Sequence, residues 1–199
     1  MSMSVKQFLS LSDAEQLQTI KDLNDIGQEE IIIDVLTGVG IDNLSVPLLG
    51  ELGRAYNNND KPEEAIKVFK TIDTEHRDAV WHYRCAYSHG SIASTNHEAY
   101  TSENIQQMLA LVDNGVRLAT KENRNDIKEY CFEVMDMCRL QMDFEKCEVD
   151  YPDLCLNYSK YIAEKKKKRE GVPRQRTITV EEILATDDMW TINEPAYWT

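Results

Sequence analysis

The sequence from Leu48 to Asp73 reads LLGELGRAYNNNDKPEEAIKVFKTID, and its apolar residues form two stripes at helical spacing. The first stripe comprises Leu48, Leu49, Leu52, Ala55 and Tyr56, and the second comprises Ala65, Ile66, Phe69 and Ile72. The asparagines at 57–59 interrupt the first stripe. Asp60 is the predicted N-cap of the second helix, because Pro62 follows in the first turn and Glu63 occupies the capping-box position. The stretch therefore predicts two helices joined by a short turn.

This stretch resembles a tetratricopeptide repeat (TPR). The residues that carry the resemblance are Leu52, Gly53, Tyr56, Ala65 and Phe69. Gly53 and Ala65 are small where two antiparallel helices come closest, and two aromatic side chains fill the space beside them. A second unit begins at Trp81, and superposing Ala86 on Gly53 gives a period of 33 residues. The resemblance implies an all-α fold, a right-handed α-solenoid of antiparallel helix pairs.

The N-terminal part of the chain also carries helical signals. Ser12 is followed three residues later by Glu15, which predicts a capping box at a helix start, and Gly27 is the predicted stop. A further helix is predicted over 28–37. A short buried strand at 31–33 is the alternative, and we favour the helix because no second strand is evident to pair with it.

The C-terminal half divides into helices and a tail. The helix that begins near Trp81 is predicted to end near Gly90, and the polar stretch 91–102 is predicted to be a long loop. Further helices are predicted over 105–119, 127–138 and 152–164. Residues 1–170 are thus predicted to be one TPR-like helical repeat domain. The C-terminal tail at 171–199 contains Trp190, Tyr197 and Trp198, and we expect it to be packed back on the helices.

The chain is acidic, with 35 Asp and Glu against 22 Lys and Arg among 199 residues and a net charge of -13. This charge disfavours nucleic acid as a partner and suits a basic protein surface. No stretch approaches the roughly 18 apolar residues of a membrane-spanning helix. The N-terminus also lacks the pattern of a signal peptide. We therefore expect a cytoplasmic protein that binds neither nucleic acid nor membrane.

The cysteines and histidines predict neither a disulfide nor a metal site. The five cysteines are odd in number and lack CxxC spacing, so reduced thiols are expected. Cys131 and Cys138 are seven residues apart, and a helix rises about 10.5 Å over that distance, beyond disulfide reach. His82, Cys85 and His89 share a helical face that could offer three ligands to zinc. No HExxH or CxxC accompanies them, so we expect structural roles, no metal and no cofactor.

The resemblance also implies a concave groove lined mainly by the first helix of each pair, and the residues predicted to line it are Arg54, Asn57, Asn58, Tyr83 and Tyr87. Arginine offers a planar fork for carboxylates, and tyrosine offers a rigid amphipathic surface. The alternative is that the tyrosines pack in the core and the asparagines only stop a helix.

These features favour a protein–protein interaction module of the TPR class that binds another protein or a peptide. The run RAYNNNDKPEEAI followed by WHYRCAY is similar to a group of bacterial repeat proteins whose members often accompany toxin and immunity genes. That similarity implies an immunity or antitoxin-like protein that masks a cognate partner. The alternative is a regulator that binds a peptide or a small signalling ligand in the groove. An enzyme is not expected, because no nucleophile–base pair or phosphate loop can be identified.

Overall fold

The computed structural model describes residues 3–95 and 102–170 of the chain. Within these ranges it contains ten α-helices, two short 3-10 turns and no β-strand. The helices are α1 (Val5–Leu9), α2 (Asp13–Asp25), α3 (Glu29–Val39), α4 (Val46–Asn58), α5 (Pro62–Lys70), α6 (Ala79–Thr95), α7 (Ser102–Lys121), α8 (Asn125–Met137), α9 (Phe144–Asp150) and α10 (Pro152–Glu170). The prediction of an all-α fold is confirmed for these residues.

The chain divides into two units, Met1–Tyr161 and Ile162–Thr199. The core and the groove described below belong to the first unit. In the second unit the structure describes residues 162–170, which are helical. The predicted tail at 171–199 and its packing lie outside the described residues. None of the described helices combines the length and the apolar character needed to cross a membrane.

The predicted helix start at Ser12 is confirmed. The Ser12 backbone N–H donates to the Glu15 carboxylate at 2.9 Å, and the Glu15 N–H donates back to the Ser12 hydroxyl at 3.4 Å. Hydrogen bonds from Ser12 also lower the pKa of Glu15. The next predicted segment is α3, so the helix over 28–37 is confirmed and the alternative strand at 31–33 is wrong.

The predicted cap at Asp60 is wrong. Asn57 and Asn58 belong to α4, and Asp60 has a left-handed φ of 52° that ends this helix. The Lys61 N–H then donates to the carbonyl of Tyr56 at 2.9 Å, which closes a Schellman turn. Lys61 occupies the N-cap position of α5 and makes no side-chain cap. Gly27, with φ 69°, has the same role after α2.

The helices of the first half recur at a constant interval. Helices α2, α4 and α6 begin 33 residues apart, at Asp13, Val46 and Ala79. Helices α3 and α5 also begin 33 residues apart, at Glu29 and Pro62. Helix α4 contacts α2, α3, α5 and α6, and α6 contacts α4, α5, α7 and α8. Helices α2, α4, α6 and α8 therefore form a continuous row of neighbours.

The main hydrophobic core is built from helices α1 to α6. Its largest fully buried side chains include Phe8, Ile20, Ile32, Leu36, Leu52 and Phe69. Gly53 and Phe69, two of the residues that carry the repeat resemblance, pack against each other in this core. The ring of Phe69 in α5 covers Gly53 in α4, where any Cβ would collide with it. The Trp81 indole N–H donates to the Phe69 carbonyl at 3.1 Å, which connects α5 to α6.

Helix α6 does not end near Gly90 as predicted. It continues to Thr95, so the first part of the predicted loop is helical, while residues 96–101 lie outside the described residues. Gly90 packs against α8 and its C-terminal cap: a Cβ there would be 2.7 Å from Met137 Cε and 3.2 Å from Cys138 Sγ. The glycine allows close helix packing instead of ending the helix.

Candidate binding groove

A groove of about 840 Å³ runs along the row of helices in the first unit. Its walls come mainly from α4, α6 and α8, and α2 contributes Lys21. The polar and aromatic lining residues include Lys21, Glu51, Arg54, Asn57, Asn58, Trp81, Tyr83, Arg84, Tyr87, Arg124, Asp126 and Tyr130. All five residues predicted for the groove line it, so the structure brings these residues together.

An ion pair that sequence reasoning missed, between a buried glutamate and a partly buried arginine, forms the base of the groove. Glu51 in α4 is 5% exposed, and one of its carboxylate oxygens accepts a 2.9 Å bond from the Arg84 guanidinium in α6. Arg84 also donates to the carbonyl of Gly50 at 2.9 Å. The second oxygen of Glu51 accepts a 2.9 Å bond from the Asn24 side chain in α2. The Glu51 carboxylate therefore joins α2, α4 and α6, and Arg84 compensates its charge.

Arg54 lies beside this ion pair, nearer to solvent. Its guanidinium is 2.9 Å from the Asp25 carboxylate and 3.6 Å from Glu51. The Arg54 side chain is 31% exposed and that of Asp25 is 65% exposed. An exposed pair of this kind contributes about 0–1 kcal/mol, so a carboxylate of a bound partner can replace Asp25 at small cost. Arg54 is thus a groove cation that can exchange its partner.

The two predicted asparagines have different environments. Asn57 is buried, donates to the carbonyl of Arg84 at 3.0 Å, and accepts from the Ser88 hydroxyl at 2.7 Å. It holds α6 against α4 and is not the predicted helix stop. Asn58 is exposed and makes one long bond of 3.4 Å to Glu29. Of the two, Asn58 is the residue accessible to a partner.

The contact made by Asn57 has a counterpart one interval earlier. Asn24, which precedes Asn57 by 33 residues, donates to the carbonyl of Glu51 at 3.3 Å. In both cases an asparagine near the end of one helix donates to the backbone of the next helix in the row, 27 residues further along the chain. Identical residues at positions 24 and 57 are the sequence signal that could have identified this repeated contact.

Three tyrosines form the aromatic wall of the groove. The rings of Tyr83 and Tyr130 stack with centroids 5.3 Å apart and planes inclined by 29°. Burial, followed by the nearby Tyr87 hydroxyl, raises the pKa of Tyr83. Tyr130 is 43% exposed, so its ring is accessible from solvent. It joins Tyr83 and Tyr87 as a groove residue.

The candidate zinc ligands are not assembled into a site. Within 3–95 and 102–170, no three His, Cys, Asp or Glu side chains are grouped so that they could hold a metal ion. The His82 ring packs edge-on against Trp81, with centroids 4.9 Å apart, and burial lowers its pKa. His89 Nδ1 is 3.0 Å from the Asn104 side-chain oxygen. Cys85 is buried, which raises its pKa to about 11.

No protein-family model, curated protein or solved structure matches the chain.

Proposed function

We propose that the first unit is a TPR-like right-handed solenoid of antiparallel helix pairs that binds a segment of another protein in its groove. Helices α2, α4 and α6 are the first helices of successive pairs, and α3 and α5 are second helices. The groove is the concave surface lined by the first helices. The observation that carries the proposal is this row of neighbouring helices with one shared, open groove.

Three features with the same 33-residue interval support a repeat architecture. The first is the interval between helix starts. The second is the pair of left-handed turns at Gly27 and Asp60. The third is the bond from Asn24 or Asn57 to the backbone of the next first helix. Each repeat of such an array is stabilised mainly by its neighbours, and this arrangement produces extended concave binding surfaces.

The chemistry of the groove favours recognition over catalysis. Several of its charged side chains are held in ion pairs, such as Glu51 with Arg84 and Arg124 with Asp126. Exposed tyrosine and arginine side chains are the types enriched at the centres of protein interfaces. We therefore propose a binding protein that is not an enzyme.

The sharper form of this proposal is an immunity or antitoxin-like protein that masks one cognate partner. The net charge of -13 supports a basic partner, because opposite charges speed the encounter of two proteins. The second candidate is a regulator that binds a peptide or a small signalling ligand. The groove volume favours it, since about 840 Å³ lies in the usual range of small-ligand pockets, roughly 300–1,000 Å³.

Affinity capture from a cell lysate, with the purified chain as bait, tests the proposal. The baits are the native chain, Tyr87→Ala, Arg54→Gln and the control Arg117→Gln, whose side chain is 67% exposed and outside the groove lining. We expect one dominant partner that the native chain and the control retain and the two groove variants lose. Equal retention by all four baits would exclude the groove as the binding site. A thermal-shift screen with peptides and metabolites tests the second candidate.

A further inference from the structure

Two of the five cysteines lie side by side. Sγ of Cys147 in α9 is 2.7 Å from Sγ of Cys155 in α10, and both are buried free thiols. A disulfide bond is about 2.05 Å long, so a small approach of the sulfurs reaches bonding distance. Reduced thiols are expected for all five cysteines, but the short distance between these two sulfurs also permits a disulfide.

The backbone holds the two thiols in this position. Tyr151, between α9 and α10, donates from its N–H to the Cys147 carbonyl at 2.8 Å. The Cys155 N–H donates to the Tyr151 carbonyl at 3.0 Å. The Phe144 ring at the start of α9 stacks on Tyr158 of α10, with planes inclined by 16°. The two sulfurs thus meet because the helix connection is fixed on both sides.

Metal binding does not account for the pair. Structural zinc sites need four ligands, and the described part of the chain holds no group of three or more candidate ligands. The other thiols have different surroundings: Cys138, for example, donates to the carbonyl of Gly90 at 3.4 Å.

We propose that Cys147 and Cys155 are a redox-modification site that forms an intramolecular disulfide when the protein reacts with a peroxide. In the first step one thiol loses its proton and its sulfur attacks the peroxide O–O bond, which breaks to give a sulfenic acid and a hydroxide that takes up this proton as water. In the second step the other sulfur attacks the sulfenic sulfur, and the S–O bond breaks to release a second water. Two thiols and one hydrogen peroxide thus give one disulfide and two waters.

Either thiol can react first, because either sulfur can donate the hydrogen bond that joins them. Burial raises the pKa of both thiols, and for Cys147 the pKa reaches about 12. The disulfide joins α9 to α10 covalently, so oxidation prevents the seven-residue α9 from separating from its neighbour.

The sequence offers an internal control for the test. Trypsin cleaves after Lys146 and Lys160, so peptide 147–160 carries Cys147 and Cys155 and no other cysteine. Peptide 129–139 carries Cys131 and Cys138, which are both buried but not placed to bridge. The reduced, desalted full chain is treated with hydrogen peroxide, alkylated with N-ethylmaleimide in denaturant, digested and analysed by mass spectrometry.

We expect peptide 147–160 to lose two hydrogen atoms and take up no alkyl group, while peptide 129–139 takes up two. Dithiothreitol should restore two alkylation sites in peptide 147–160. Cys147→Ala and Cys155→Ala should each abolish the bridge, and Cys138→Ala should retain it. The native chain alone decides the outcome if a variant fails to fold. Alkylation of both thiols of peptide 147–160 after peroxide treatment, or equal oxidation of both peptides, would overturn the proposal.

Discussion

Replacing Gly53 with alanine tests whether the α4–α5 contact defines the repeat unit. A Cβ at this position lies 3.0 Å from Phe69 Cδ1 and closer to two other ring atoms. The ring cannot move away easily, because Phe69 is fully buried and packs edge-on against Trp81 with centroids 6.5 Å apart. Overpacking of this kind costs about 1–3 kcal/mol. Alanine is better than glycine in a helix by about 1 kcal/mol, which offsets part of that cost.

Gly50→Ala is the matched control, one turn earlier in the same helix. Its Cβ meets only the Arg84 side chain, at 3.4 Å, so most of the helix-propensity gain is retained. We expect Gly53→Ala to be less stable than Gly50→Ala by about 1–3 kcal/mol, the overpacking cost itself. Urea denaturation, monitored by circular dichroism, measures the free energies of unfolding of both variants.

A double-mutant cycle with Phe69→Leu makes the test specific to the ring. Leucine lacks the ring edge that meets the new methyl group, so the cost of Gly53→Ala should largely disappear in that background. Equal stabilities of the two alanine variants, or no coupling between positions 53 and 69, would refute the close-packing argument and remove one support for the repeat architecture.

Other measurements address the groove and the buried thiols. Asn57→Ala should lower the free energy of unfolding by about 1–3 kcal/mol, because the Arg84 carbonyl and Ser88 lose a buried partner; Asn58→Ala should change it by less than about 0.5 kcal/mol. Glu51→Ala should cost about 3–5 kcal/mol by leaving Arg84 without its counter-charge, and a smaller loss would show that this ion pair is well solvated. Burial raises the pKa of Cys85 and Cys138 to about 11 and that of Cys131 to about 12, so folding favours the protonated thiols. The stabilisation that each buried, protonated thiol contributes is complete below the pKa of the thiol in the unfolded chain. It is lost as the pH rises from there towards the folded-state pKa, by about 1.4 kcal/mol per pH unit for each thiol. Urea midpoints at pH 8 and pH 10 measure this loss, and Cys131→Val should reduce it.

The sequence predicts the elements whose signals are local. The capping box at Ser12 involves residues three positions apart, and the stripes of α4 and α7 repeat every three or four residues. The contact of Phe69 with Gly53 agrees with the packing that the repeat resemblance implies, a large aromatic residue beside a small one where two helices meet. The helix over 28–37 required the additional argument that an isolated strand has nothing to pair with.

The wrong predictions share a physical cause, since the same residue type serves two purposes. Aspartate favours both an N-cap and a left-handed turn, and the end of α4 requires the turn at Asp60. Glycine often ends a helix, but at Gly90 its small size admits residues at the end of α8. Only the tertiary structure distinguishes these roles.

The ion pair at the base of the groove was not predicted, for a related reason. Glu51 and Arg84 are ordinary surface residues by type, and their pairing depends on how α4 and α6 lie together. The partners that bury Asn57 come from α6 in the same way. The five groove residues were predicted from the repeat resemblance, which does not indicate the hydrogen bonds that they make.

The asparagine bonds between successive first helices have an evolutionary consequence. Each bond ends on a backbone carbonyl, at Glu51 in one case and at Arg84 in the other. The acceptor is therefore available whatever side chain that position carries, and here the two side chains have opposite charges. A paired change at positions 51 and 84 can therefore keep these bonds and the spacing of the helices, whereas the loss of Glu51 alone leaves Arg84 without its counter-charge.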